Sequence, residues 1–156
     1  MGQIILNKAT TADIPNIFAL INSYAQQELM LPRPLGSLYE TIRDFVVARN
    51  ENQQIVGAGA LHIIWDNLGE VRSLAVDPKA VGTGIGRILV EFMKEEAVQL
   101  NIRELFALTY QPEFFHKCGF NTVSKEIFPQ KVWVDCINCI KFPNCDEVAV
   151  KLILKN

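Results

Sequence analysis

The sequence predicts a single-domain α/β fold, a mixed and mostly antiparallel sheet flanked by helices, and three observations carry that prediction. Apolar runs with strand alternation exchange along the chain with segments of helical three-and-four spacing. Glu70 to Val76 reads as a strand and Gly84 to Leu100 as a helix, joined by a loop with glycines at alternate positions, Gly82, Gly84 and Gly86. A chain of 156 residues, 49% apolar and 21% charged, suits one domain with a substantial core and argues against disorder.

Taken in order, Ile4 to Leu6 predicts a first strand. Thr10 or Thr11 then caps a helix whose apolar face is Ile14, Ile17, Phe18, Ile21 and Ala25. Pro32 and Pro34 interrupt that helix, and Ser37 to Arg43 begins a second, shorter one behind a loop expected to form a lid or wall. Phe45 to Ala48 and Ile55 to Trp65, joined by the polar turn 49–53, predict an antiparallel hairpin whose second strand is thinned by Gly57 and Gly59. After the strand and the glycine loop, the helix is expected to present Ile85, Ile88, Leu89, Phe92 and Leu100 as one stripe. Leu105 to Thr109 predicts a buried strand and Pro112 to Lys117 a short helix ended by Gly119. Phe120 to Val123 and Val148 to Leu154 predict the last strands. No internal repeat or linker interrupts the order.

Composition narrows the partners. A net charge of −2 with well-mixed signs leaves no basic excess for a nucleic-acid backbone. No stretch approaches the ~18–20 apolar residues of a membrane span, and the N-terminus lacks a secretory pattern, so the expected compartment is the cytoplasm. Cys136, Cys139 and Cys145 cluster near the C-terminus, in a segment at about 135–147, and Cys-x-x-Cys spacing suits zinc. A fourth ligand would have to come from Cys118, His116 or Asp135, and without a second Cys-x-x-Cys the reading adopted is reduced thiols and no metal site.

The loop is the main chemical clue. Spaced glycines let the backbone approach a ligand, and the following helix start aims N–H groups at an anion. A triphosphate loop needs Lys-Ser/Thr after the last glycine, which is absent, and Arg87 stands where a dinucleotide fingerprint would have its third glycine. Val81-Gly82-Thr83-Gly84-Ile85-Gly86, after a strand ending Leu-Ala-Val-Asp-Pro, resembles instead the acyl-coenzyme A loop of the GNAT acetyltransferase superfamily, Q/R-x-x-G-x-G/A. Val81 departs from that pattern and forfeits a polar pyrophosphate contact of about 1–3 kcal/mol. The late segment Glu113 to Phe120 resembles the superfamily's Phe-Tyr-x-x-x-Gly-Phe, so the resemblance covers most of the chain.

The resemblance implies a GNAT fold with a splayed strand pair binding acyl-CoA and acetyl-CoA as acyl donor. It places Leu74, Ala75 and Val76 against the pantetheine and thioester, and Gly82, Thr83, Gly84, Ile85, Gly86 and Arg87 around the phosphates. Glu70 falls where several members carry a catalytic glutamate; the alternative is a polar residue at the wet end of a strand. Arg72, on the same face by strand alternation, either binds an acceptor carboxylate or neutralises Glu70. Phe115 stands where many members supply a tyrosine to the leaving thiolate, so that donor is missing unless Tyr110 approaches. His116 is expected at the surface.

Residues Ala25 to Ile42, with Gly69-Glu70-Val71 and Phe106 to Thr109, resemble the acceptor side of the N-acetylglutamate synthases, amino-acid N-acetyltransferases that open arginine biosynthesis. Arg33 matches an arginine at that family's acceptor site, and a guanidinium suits a carboxylate. The expected partner is therefore a small amino acid, L-glutamate first and glutamine or another amino acid next. Homodimer formation is left open. Acetylation of a protein N-terminus, lysine or polyamine, and a non-catalytic acyl-CoA-binding module, are the rival readings. The longer synthases carry a kinase-like domain linked to arginine inhibition, and control through such a domain is not expected from these residues.

Overall fold

The computed structural model describes residues 2–128 and 146–154. The elements are β1 (Ile5–Lys8), α1 (Ile14–Ala25), α2 (Leu35–Glu40), β2 (Phe45–Arg49), β3 (Ile55–Trp65), β4 (Leu68–Val76), α3 (Ile85–Gln99), β5 (Glu104–Thr109), α4 (Pro112–Lys117), β6 (Asn121–Val123) and β7 (Val148–Ile153). Among the described residues seven strands form one sheet in the order β1-β2-β3-β4-β5-β7-β6. Every neighbouring pair is antiparallel except β4 and β5. The predicted hairpin of β2 and β3 is present, and a second hairpin joins β3 to β4.

Among the described residues α1 and α2 cover one face, and α3, joined by Phe115 of α4, covers the other. Ile14, Ile17 and Ile21 of α1 pack with Leu38 of α2 on Phe45, Val47, Ala58 and Ala60. The entry to α1 is fixed at Thr10, whose backbone N–H donates to the Asp13 carboxylate at 2.9 Å. Arg49 of β2 reaches the same carboxylate at 2.7 Å and ties the helix start to the sheet. Burial works against the Asp13 charge, but these hydrogen bonds and the Arg49 charge outweigh it and hold the carboxyl below its ordinary value.

On the opposite face α3 lies close to the sheet because β3 has no side chains where it crosses. A Cβ on Gly57 would stand 2.9 Å from Ile85 and 3.0 Å from Leu89, and one on Gly59 would meet Leu74 at 2.9 Å. This closeness changes the predicted stripe. Ile85, Gly86, Leu89, Val90, Met93 and Ala97 are the buried residues of α3, while Ile88 and Leu100 are exposed. The five residues expected from hydrophobicity alone formed too narrow a guide, because small Gly86 and Ala97 allow the helix to turn that side inward.

Two more boundaries differ from expectation. The second helix occupies Leu35–Glu40, starting at Pro34, and residues 42–44 form a separate 3-10 turn before β2. β4 begins at Leu68, so Glu70 is interior to the strand rather than at a wet end. Pairing on both sides, to His62 of β3 and Phe106 of β5, leaves Glu70 only 8% exposed.

Candidate functional site

β4 and β5 are paired for three residues only, Leu68, Glu70 and the glycine between them, opposite Glu104, Phe106 and Leu105. Beyond Glu70 the two strands run on to Val76 and Thr109 without further pairing, and the sheet opens. An open groove of about 1550 Å³ occupies the gap, lined from β4, from the loop 80–87, from α1 and the 29–37 segment, and from β5 and α4.

The bend in β4 has a local cause. Its register with β3 slips between Ala58 and Ala60, and Ser73 stands there with φ +54°, a left-handed value rare for a residue with a side chain. The extra residue turns β4 and brings the Ser73 hydroxyl to the groove, where it accepts from Arg33 Nη1 at 3.1 Å. At the strand's end the Tyr24 hydroxyl donates to the Val76 carbonyl, pinning α1 to β4. Burial, then the nearby Asp77 charge, pushes the Tyr24 phenol up and keeps it a donor.

One wall of the groove is largely backbone. Gly82 and Gly84 have φ +85° and +90°, and a Cβ at either would meet nothing within 4 Å. Open space outside two left-handed glycines, at the start of the 15-residue α3, is what an anionic group needs to reach helix N–H donors. Gly86 is glycine for a different reason, since a Cβ there would stand 3.0 Å from the Phe114 ring. Gly82, Gly84, Ile85, Gly86 and Arg87 all line the groove, as do Leu74, Ala75 and Val76. Thr83 differs from the expectation: its hydroxyl turns back onto the Ala80 carbonyl, shaping the loop and leaving the groove wall to its neighbours. Val81 is 62% exposed. These residues fit a phosphate-bearing, extended ligand.

The opposite wall is built from side chains. Arg33 donates to Ser37 Oγ from Nη2 at 2.7 Å and from Nε at 3.2 Å, to Thr41 Oγ1 at 3.1 Å, and to Ser73. Burial, followed by the Arg72 charge, pushes its guanidinium down from the ordinary arginine value. It stays a cation, since arginine does not lose its proton in proteins. Arg72 Nε donates to Glu70 Oε1 at 2.6 Å, and all three charged residues line the groove. The neutralising partner anticipated for Glu70 is therefore in place.

Phe115 is buried, edge-on to Phe114 and Phe120, and brings no acidic proton. Tyr110 lines the groove and donates to Asp146 at 2.7 Å. His116 is at the surface, within 2.8 Å of the Thr122 hydroxyl. Cys118 is a buried free thiol. Among the described residues no group of three or more metal-binding side chains is gathered, and no helix is long and apolar enough to cross a membrane. Asp135, Cys136, Cys139 and Cys145, on which the zinc alternative rested, lie outside the described residues.

Ser37, Thr41, Ser73 and Tyr24 were missed from sequence. A bulge leaves no mark in residue order, and a hydroxyl at the end of an apolar helical stripe reads as an edge residue. Only Ser73, a polar residue inside an apolar strand, offered a signal.

Comparison with known proteins agrees with this geometry. The model of the acetyltransferase (GNAT) family matches residues 13–120. An uncharacterized N-acetyltransferase of Chlorobaculum tepidum is 41% identical over 147 residues, 93% of each chain. The amino-acid acetyltransferase of Mycobacterium tuberculosis is 38% identical over 76% of this chain and 69% of its own length. A crystal structure of a Mycobacterium tuberculosis protein in complex with CoA superposes with TM-score 0.85 at 31% identity, covering 97% of this chain and 99% of the other. N-acetylglutamate synthase from Neisseria gonorrhoeae, complexed with coenzyme A and N-acetyl-glutamate, gives TM-score 0.87 at 26% identity; it covers all of this chain and 36% of that one. The splayed strands, the glycine cradle and these likenesses lead to one conclusion: the chain belongs to the GNAT acetyltransferase family, with acetyl-CoA as its acyl donor.

Proposed function

We propose that the protein acetylates the α-amine of a small amino acid, L-glutamate first and glutamine or another amino acid next. Arg33 carries this reading. Its guanidinium is half-buried, and its hydrogen-bond partners among the described residues are three hydroxyls with no carboxylate in the set. Asp44 and Glu70 act on its charge from a distance, but a partly desolvated cation hydrogen-bonded only to neutral groups still gains from an incoming carboxylate, which supplies charge-assisted bonds. Arg72 lies on the same groove with its charge balanced by Glu70, which leaves Arg33 as the cation facing an acceptor. That cation disfavours a lysine, polyamine or free cationic peptide as acceptor. The named activity of the Mycobacterium tuberculosis relative and the ligand of the Neisseria gonorrhoeae structure support the same class. Such an activity would place the protein in cytoplasmic arginine biosynthesis.

In this reading Glu70 takes a proton from the acceptor ammonium, and backbone groups at Leu74 to Val76 orient the thioester. The loop 82–87 holds the phosphates. With Phe115 lacking a hydroxyl, the thiolate leaves unaided or with help from Tyr110. A thiol with an ordinary value near ~8.5 makes the unaided route accessible.

Thiol release from acetyl-CoA, measured against amino acids, polyamines and short peptides with mass detection of products, tests the proposal. Saturable acetylglutamate formation is the expected result, and Arg33→Ala should raise the Michaelis constant for glutamate at least tenfold while leaving that for acetyl-CoA within twofold. Equal effects on both constants, or turnover confined to amines and peptides, would remove the acceptor assignment.

A further inference from the structure

His62 lies directly opposite Glu70 across the β3–β4 pair, so the two side chains share one face of the sheet. Its Nδ1 stands 2.7 Å from Asp44 Oδ2, in the turn before β2. Exposure is greater away from the groove: the Glu70 side chain is 11% exposed, against 31% for His62 and 25% for Asp44. The groove holds Glu70 at one end of the line, and solvent reaches the other.

The reaction gives this arrangement something to do. An acceptor ammonium carries three protons and the amide product keeps one. As the nitrogen bonds the thioester carbonyl carbon and the C–S bond breaks, sulfur takes the electron pair and one proton. The remaining proton must leave with every turnover, and on the base reading of Glu70 it is on a nearly enclosed carboxylate. On the β5 side Glu70 meets Phe106, which takes no proton, and Arg72 Nε beside it is a donor. On the β3 side stands an imidazole.

We propose that His62, oriented by Asp44, receives the proton that Glu70 removes from the acceptor ammonium and passes it to solvent. With the Asp44 carboxylate accepting from Nδ1–H, Nε2 carries the lone pair that accepts it. Directly opposed cross-strand residues have Cβ atoms about 4.5–5.5 Å apart, a span that a carboxylate and an imidazole close directly or through one water. Asp44, Glu70, Arg72 and Arg33 are the charged groups around the relay; Asp44 and Glu70 both act on the charge of Arg33. His62 is thus a positioning and relay residue, resting on the assignment of Glu70 as base.

The test compares His62→Gln, Asp44→Asn and Glu70→Gln in the full chain. Steady-state rates are measured with acetyl-CoA and L-glutamate, or the amino acid of the panel that turns over fastest, in dilute buffer with and without added imidazole. His62→Gln should lower kcat about tenfold, leave both Michaelis constants within twofold, and regain most of its rate as imidazole rises. Asp44→Asn should move the same way by a smaller factor. Unchanged kcat in His62→Gln, or a loss that imidazole does not restore, overturns the relay; so does the absence of turnover with every acceptor. Glu70→Gln separates the two assignments. If it loses at least a hundredfold while His62→Gln is silent, only the relay falls. If it turns over normally, the base reading falls and takes this route with it, even where His62→Gln remains sensitive to imidazole.

Discussion

The two walls of the groove are made of different material. The wall proposed for the acyl donor, the donor wall, presents backbone: left-handed Gly82 and Gly84, the N-terminus of α3, and the edge of β4 after its bulge. The wall proposed for the acceptor, the acceptor wall, presents side chains, with Arg33 gripped by Ser37, Thr41 and Ser73 and Arg72 paired to Glu70. Backbone donors hold a phosphate whatever the side chains nearby, so the donor wall tolerates Val81 where the family pattern has Gln or Arg. The acceptor wall has no such reserve. Each hydroxyl around Arg33 fixes one direction of a planar fork, and losing one loosens the whole guanidinium.

The largest predicted effect breaks the donor wall alone. Gly84→Ala puts a Cβ at φ +90° into the space the ligand approaches, with a strain of about 1–2 kcal/mol and no protein atom to displace. The Michaelis constant for acetyl-CoA should rise tenfold or more and that for the acceptor should not. Matching rises in both would show that the walls are not separate. Next, Ser73→Ala removes one bond from Arg33 and should raise the acceptor constant about three- to tenfold with acetyl-CoA binding intact, as titration calorimetry can establish.

Asp13→Asn tests the frame that both walls share. It removes the charged partner of Arg49 and should cost about 1–3 kcal/mol in urea unfolding at pH 7. The Asp13 carboxyl is held below its ordinary value near 3.8, so the stability it contributes is complete above that value and fades as pH falls through its lower folded value. The gap between wild type and Asp13→Asn should therefore close in acid; a gap that widens there would contradict the assignment. The smallest effect sharpens the comparison from the other side. Val81→Gln restores a polar group to an exposed loop position and should lower the acetyl-CoA constant by about two- to fivefold, a change readable in competition against CoA.

Legibility followed the same division. The glycine spacing, the preceding apolar strand and the helix start were readable because each is a property of consecutive residues. The antiparallel hairpin of β2 and β3 and the short α4 were readable for the same reason. The inward side of α3 was read less well, because its glycine and alanine positions carry little hydrophobic signal yet permit the closest approach to Gly57. Glu70 and Arg72 were identified as a pair on one face, but the burial of Glu70 followed from β5 lying beside it, which strand alternation does not report.

By itself, then, the sequence determined the periodic elements, the glycine-spaced loop and the positions of the charged residues, since local spacing fixes backbone conformation and facing. Tertiary structure decided how far β4 and β5 separate, which hydroxyls surround Arg33, and that His62 stands between Glu70 and Asp44. Those contacts join residues from distant parts of the chain through strand register and a bulge, and register is settled only when the whole sheet packs its two faces.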